Sequence, residues 1–271
     1  MNWQSLFAHG REITAEKVRD YIGHVPPNDL QLIDVRQPKE YREAHIPGAK
    51  LIPLNELPQR LDEIDAAKNT IVYCRSGKRS SAACQILDQA GITGVLNLRG
   101  GMLEWQGDRA AGEETDGLAF FVRGDFPTAV AMACSMEAGL KQFYLAAAAQ
   151  TADASSRDFL IAMARLEDGH LARLQGKYGL AEADAATGMP AGTIEGGLQA
   201  ADIIGAFPAS FTGVESSIEM AMMFEAQALD LYSRLARRRD DPELRDFFIE
   251  LAGEEQRHLS RLARELDKLL A

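Results

Sequence analysis

Apolar and polar positions follow two different rhythms along this chain. Up to about residue 107, short apolar runs are flanked by turn residues: Leu30–Arg36 (LQLIDVR), Thr70–Arg75 (TIVYCR) and Gly94–Gly100 (GVLNLRG). Between them, helical spacing occurs near Pro38–Glu43, Leu54–Ile64 and Ser80–Ala90. Buried strands alternating with helices predict an α/β domain with a mostly parallel sheet over residues 1–107. A polar, glycine-rich stretch over 108–126 reads as a linker. From 127 to 271, Ala, Leu, Met and Glu recur at helical spacing and predict four helices, near 127–150, 154–176, 212–238 and 242–270. Asp241-Pro242 suits the start of the last, with proline at the first helical position. A long Gly- and Pro-containing connection separates the second from the third, so an all-α four-helix bundle with one crossover is expected.

The helical half repeats itself. Glu137, Tyr144, Glu167 and His170 recur 88 residues later as Glu225, Tyr232, Glu255 and His258. Residues three and four apart share a helix face, which places Glu167 and His170 among Leu160, Met163 and Leu174, and Glu255 and His258 among Phe248, Leu251 and Leu262. Glu137 and Glu225 likewise share faces with Leu140 and Leu229. Four glutamates and two histidines thus point into one bundle core. Buried carboxylates without a countercharge cost several kcal/mol each, so a cation is required there. The oxygen-rich donor set suits two adjacent iron or manganese ions better than structural zinc.

Residues 128–271 therefore resemble the rubrerythrin and ferritin-like family. The resemblance implies metal ligation by Glu137, Glu167, His170, Glu225, Glu255 and His258, with Glu167 and Glu255 bridging, and reaction with peroxide or oxygen. It also implies an external electron donor and a small homo-oligomer, a dimer. Ala228 stands where rubrerythrins often carry a further metal-binding Glu, and the paired Cys-x-x-Cys of a rubredoxin module is missing, which weakens peroxide reduction as a carry-over. Cys134, Tyr144 and Tyr232 read as core residues.

In the first half, IVYCRSGKRSSAACQIL sets a cysteine at the end of an apolar strand, followed by a polar turn and a helix. Backbone N–H groups of the loop Cys74, Arg75, Ser76, Gly77, Lys78 and Arg79 can converge on an anion above the helix N-terminus at Ser80. Together with the positive side chains, such a nest lowers a thiol pKa and makes Cys74 nucleophilic. With Asp34, Arg36 and the run His45-Ile46-Pro47-Gly48-Ala49 in order, residues 1–107 closely resemble a single rhodanese domain. That resemblance implies sulfur transfer from a small donor such as thiosulfate, through a Cys74 persulfide, to a low-molecular-weight or protein thiol. Arg75, Lys78 and Arg79 would help bind the anion, Asp34 and Arg36 would brace the loop, and His45 would fix a turn. Tyrosine phosphatases place Arg six residues after the cysteine, where this chain has Ser80, so phosphate chemistry is disfavoured. Cys84 reads as core, with a resolving role as the alternative.

Composition narrows the picture. A net charge of −11 over 271 residues argues against nucleic-acid and anionic-membrane partners. No apolar run approaches a membrane span. The N-terminus lacks the charged start and apolar core of an export signal, and three scattered cysteines form no disulfide framework, so a reducing cytoplasm is expected. No organic cofactor is implied. A sulfur carrier whose metal cluster reports oxidant to a partner, and a metal store, are the rival readings.

Overall fold

The computed structural model describes residues 3, 6, 11–115, 126–179, 193–194, 198–199, 213–238 and 240–270. The first domain is built on a five-stranded parallel sheet: β1 (Glu12–Ile13), β2 (Leu30–Asp34), β3 (Lys50–Leu51), β4 (Asn69–Tyr73) and β5 (Val95–Leu98), in the spatial order β1-β5-β4-β2-β3. Four helices accompany it: α1 (Ala15–Ile22), α2 (Pro38–Glu43), α3 (Lys78–Gln89) and α4 (Gly101–Glu104). Alternation along the strands divides the core in two. Leu32, Ile71, Tyr73 and Leu96 pack with Val18 and Tyr21 of α1, while Ile33, Val35, Val72 and Val95 pack with Ala83 and Leu87 of α3.

The structure adds β1, α1, β3 and α4 to the expected elements. α1 is amphipathic, with Val18 and Tyr21 buried, and the Thr14 hydroxyl caps it by accepting from Lys17 N at 3.4 Å. The helix expected over Leu54–Ile64 is instead two short 3-10 turns, Leu57–Gln59 and Leu61–Glu63. Pro58 supplies no backbone N–H for a continuing helix there.

The second domain comprises α5 (Phe126–Gln150), α6 (Ala154–Tyr178), α7 (Val214–Arg237) and α8 (Pro242–Leu270). Asp153 caps α6 through Ser156 N at 2.7 Å, and Asp241 caps α8 through Glu243 N at 2.9 Å. Of the long connection between α6 and α7, β6 (Thr193–Ile194) and β7 (Leu198–Gln199) pair antiparallel; nearly all the rest of that expected crossover lies outside the described residues. The stretch expected as a linker begins as a packed segment: Ala110 and His45 exchange backbone hydrogen bonds, and Glu114 Oε1 accepts from Leu51 N at 3.0 Å. Residues 116–125 of it lie outside the described residues.

Candidate functional sites

Cys74 follows the central strand β4, at the carboxyl end of a parallel sheet, where open α/β folds place their ligands. Its Sγ lies under the start of α3, accepting from Gly77 N at 3.2 Å and from the Ser80 hydroxyl at 3.4 Å. Burial pushes the thiol pKa up, but the Ser80 hydroxyl and the backbone N–H groups of Ser80, Ser76 and Gly77 reverse it, and the net shift is downward. Gly77 adopts φ +86°, and Gly101 (φ +56°) presses against the Cys74 and Arg75 carbonyls so closely that a Cβ would collide with both. That approach lets Met102 N and Leu103 N donate to the Cys74 and Arg75 carbonyls, at 2.9 and 3.0 Å. The loop is fixed by its backbone.

The charged residues expected around it divide. Arg75 and Lys78 are exposed on the rim. Arg79 forms a two-pronged pair with Glu40 at 2.7 and 2.8 Å, which holds the Glu40 carboxyl down at about 2. Most of its charge is therefore already matched. Asp34 and Arg36 form a buried pair, 2.6 Å at its shortest, but Arg36 donates onward to the Ala44 carbonyl at 2.7 Å, and among the described residues neither bonds to the 74–79 loop. Through that bond the pair holds the His45 turn, and the Arg36 guanidinium lies 5.6 Å from the ring centroid of Tyr73, the residue before Cys74. Cys84 is buried among apolar side chains and its thiol is pushed up to about 12, the state of an inert core residue. Cys134, raised to about 11, is likewise core.

In the bundle, each half of the repeat assembles one cluster: Glu137, Glu167 and His170, and Glu225, Glu255 and His258. His170 Nδ1 lies 3.2 Å from Glu137 and 3.0 Å from Glu167; His258 Nδ1 lies 3.1 Å from Glu225 and 3.2 Å from Glu255. The two imidazoles stack with centroids 4.3 Å apart and planes 5° from parallel, which joins the clusters into one site. All four glutamates are about 1% exposed. Burial pushes Glu167 and Glu255 up to about 8. Burial alone would depress the histidines, yet the neighbouring carboxylates raise His170 to about 10 and His258 to about 11. Among the described residues, Oε1 of Glu137, Glu167 and Glu255 is buried without a hydrogen-bond partner. Orphaned carboxylate oxygens converging with two imidazoles are what a pair of hard-to-borderline cations would satisfy, so the residues fit a di-metal centre.

This arrangement matches known families. A rubrerythrin family model covers residues 128–266, more than half of the chain. The chain belongs to the rubrerythrin family. Ahead of the rubrerythrin domain, a rhodanese-like domain model covers residues 14–108. A sulfurtransferase of Allochromatium vinosum is 44% identical over 94 residues, 35% of this chain and 86% of that relative. The rhodanese-like domain is also similar to a crystal structure of a rhodanese-like domain protein from Staphylococcus aureus, at 30% identity over 35% of this chain and 90% of the other, with TM-score 0.33. An Escherichia coli rhodanese solved with anions is 34% identical over 31% of this chain and 99% of its own, with TM-score 0.29. The protein thus joins a rhodanese-like domain to a rubrerythrin domain. Among the described residues no helix is long and apolar enough to cross a membrane.

One residue escaped the sequence reading. Asp230, on α7 five positions after Glu225, is buried at 1% exposure and meets His45 of the other domain, Nε2 to Oδ1 3.2 Å. The sequence signal was available as Asp230, Arg234 and Arg237, spaced by four and then three along one helix face.

Proposed function

We propose that the rhodanese-like domain forms a persulfide on Cys74 from thiosulfate or a similar donor. The Cys74 thiolate attacks the outer sulfur, the S–S bond breaks, and sulfite leaves with the electron pair. A thiol or cyanide acceptor then takes the outer sulfur and returns Cys74 to the thiolate. The observation that carries this reading is the Cys74 sulfur held by Gly77 N and the Ser80 hydroxyl, with its thiol lowered against the pull of burial. Arg75 and Lys78, exposed on the rim, would attract the anionic donor, while the Arg79 charge is matched by Glu40.

In the bundle, Glu137, Glu167 and His170 would hold one iron or manganese ion and Glu225, Glu255 and His258 the other. Such a pair, when bound, supplies redox chemistry toward peroxide or oxygen, drawing on an external electron donor. The chain's own contribution is a buried cluster of carboxylates, which would have to be ionised to ligate metal, held against two imidazoles. The three cysteines are free thiols, in keeping with a reducing cytoplasm.

Thiosulfate:cyanide turnover by the full chain tests the first part: activity lost in Cys74→Ala is expected, and activity unchanged in that variant contradicts it. Metal analysis after anaerobic loading tests the second: about two ions per chain are expected, and well under two would contradict it. Catalytic peroxide consumption with an added reductant separates an enzyme from a sensor oxidised once.

A further inference from the structure

The two domains meet through a buried charged cluster. The His45–Ala49 turn, between α2 and β3, rests against α7. Asp230 Oδ1 accepts from Gly48 N at 3.0 Å and lies 3.2 Å from His45 Nε2, while Oδ2 accepts from Arg234 Nε at 2.8 Å. Arg237 donates to the Gly48 and Ala49 carbonyls at 2.6 and 3.2 Å. Gly48 has φ +77°, and a Cβ there would stand 3.1 Å from Ser233 Oγ, so the turn seats on the helix as glycine. From its own domain, His45 is stacked on Tyr41 (centroids 3.7 Å, 6°), with Nδ1 2.8 Å from the Tyr41 carbonyl. Side chains of the bundle therefore order a turn of the sulfurtransferase domain.

That turn reaches the residue just before the reactive cysteine. Ile46 N donates to the Tyr73 hydroxyl at 3.2 Å, and the Tyr73 carbonyl accepts from Val35 N at 3.0 Å. Tyr73 is fully buried and directly precedes Cys74. Held at both ends, it sets where the chain enters the loop.

We propose that Asp230 of the rubrerythrin domain is a positioning residue for Cys74, acting through the His45–Ala49 turn and Tyr73. The sulfurtransferase loop is then aligned by the domain beside it, not by its own fold alone. A reactive constellation must be held to within fractions of an ångström by the groups behind it, and here part of that support comes from the neighbouring domain. The turnover arm of the test rests on the sulfur-transfer reading; the alkylation arm does not.

The full-length chain is compared with Asp230→Ala, Asp230→Asn and Arg237→Ala. Iodoacetamide alkylation of Cys74 is followed against pH by peptide mass spectrometry, and kcat and KM are measured with thiosulfate and cyanide. In Asp230→Ala, the alkylation profile is expected to move to higher pH and kcat to fall about fivefold or more, with KM for thiosulfate changed less than about twofold. Asp230→Asn keeps an oxygen for Gly48 N and is expected to recover most of the wild-type profile, which a general loss of packing would not allow. Should Asp230→Ala fail to fold, Arg237→Ala carries the test, since its side chain is 31% exposed. Unchanged profiles in the folded variants would overturn the proposal, as would an Asp230→Asn profile altered as far as that of Asp230→Ala. A wild-type chain that turns over no sulfur, yet whose alkylation profile still shifts in the variants, would remove the sulfur-transfer reading and keep this one.

Discussion

Cys74 owes its lowered thiol pKa to N–H and O–H donors at close range, with the exposed cations on the rim set farther out. Ser80→Ala removes the hydroxyl donor at 3.4 Å and is expected to slow iodoacetamide alkylation of Cys74 at pH 7 by about three- to tenfold; a rate unchanged in that variant would shift the explanation to the backbone alone. Asp230 carries a pH dependence of its own. Burial pushes its carboxyl up, but His45, Arg234 and Arg237 bring it to about 2, below the ordinary 3.8. A depressed folded value means its stabilising contribution is fully present above pH 3.8 and is lost as pH falls through about 2. The thermal stability of Asp230→Asn should therefore lie below wild type at pH 5 and converge with it toward pH 2, a trend read by calorimetry across that range.

Helix α8 shows what one element carries. It presents Glu255 and His258 to the metal centre, Phe248 and Leu251 to the core, and Gln256 to the Ile22 and Val25 carbonyls of the first domain. Phe248 is fully buried, so Phe248→Ala is expected to cost about 3–5 kcal/mol in a denaturant titration. Glu255→Gln should instead leave the helix intact and lower the metal content after loading, with affinity reduced about tenfold or more. The long helices were legible in the sequence because their apolar spacing persists over many turns, and the six clustered side chains because the repeat doubled a weak Glu-x-x-His signal. Short elements were not. β1 and β3 are two residues each and exist by pairing with β5 and β2, a tertiary cause that local pattern does not express. Leu54–Ile64 has helical apolar spacing but carries Pro58, and the proline decided its form. Asp230 was not legible as a site residue, since its i,i+4 pair with Arg234 is an ordinary helix feature and its contacts with His45 and Gly48 come only from the docked neighbour.

At the scale of the molecule, the two candidate centres lie on opposite sides of one sheet. The bundle docks where α1 ends and where the His45 turn lies, on the face of Tyr73, whereas Cys74 belongs to the core on the α3 face. Gln227 and Ala111 close the same interface with a reciprocal pair of hydrogen bonds, at 2.7 and 3.2 Å. Cys74→Ala is accordingly expected to leave metal content at the wild-type level, since distant sites without shared partners act independently; a matching loss of metal would show the centres to be linked. The influence inferred here runs through the interface to the loop, not from sulfur to metal. The most direct test of sulfur transfer is the mass of the Cys74 peptide from the full chain after anaerobic incubation with thiosulfate: one added sulfur, about 32 Da, is expected on that peptide, and cyanide is expected to remove it. A Cys74 peptide that gains no sulfur while its thiol remains free to alkylate would contradict sulfur transfer.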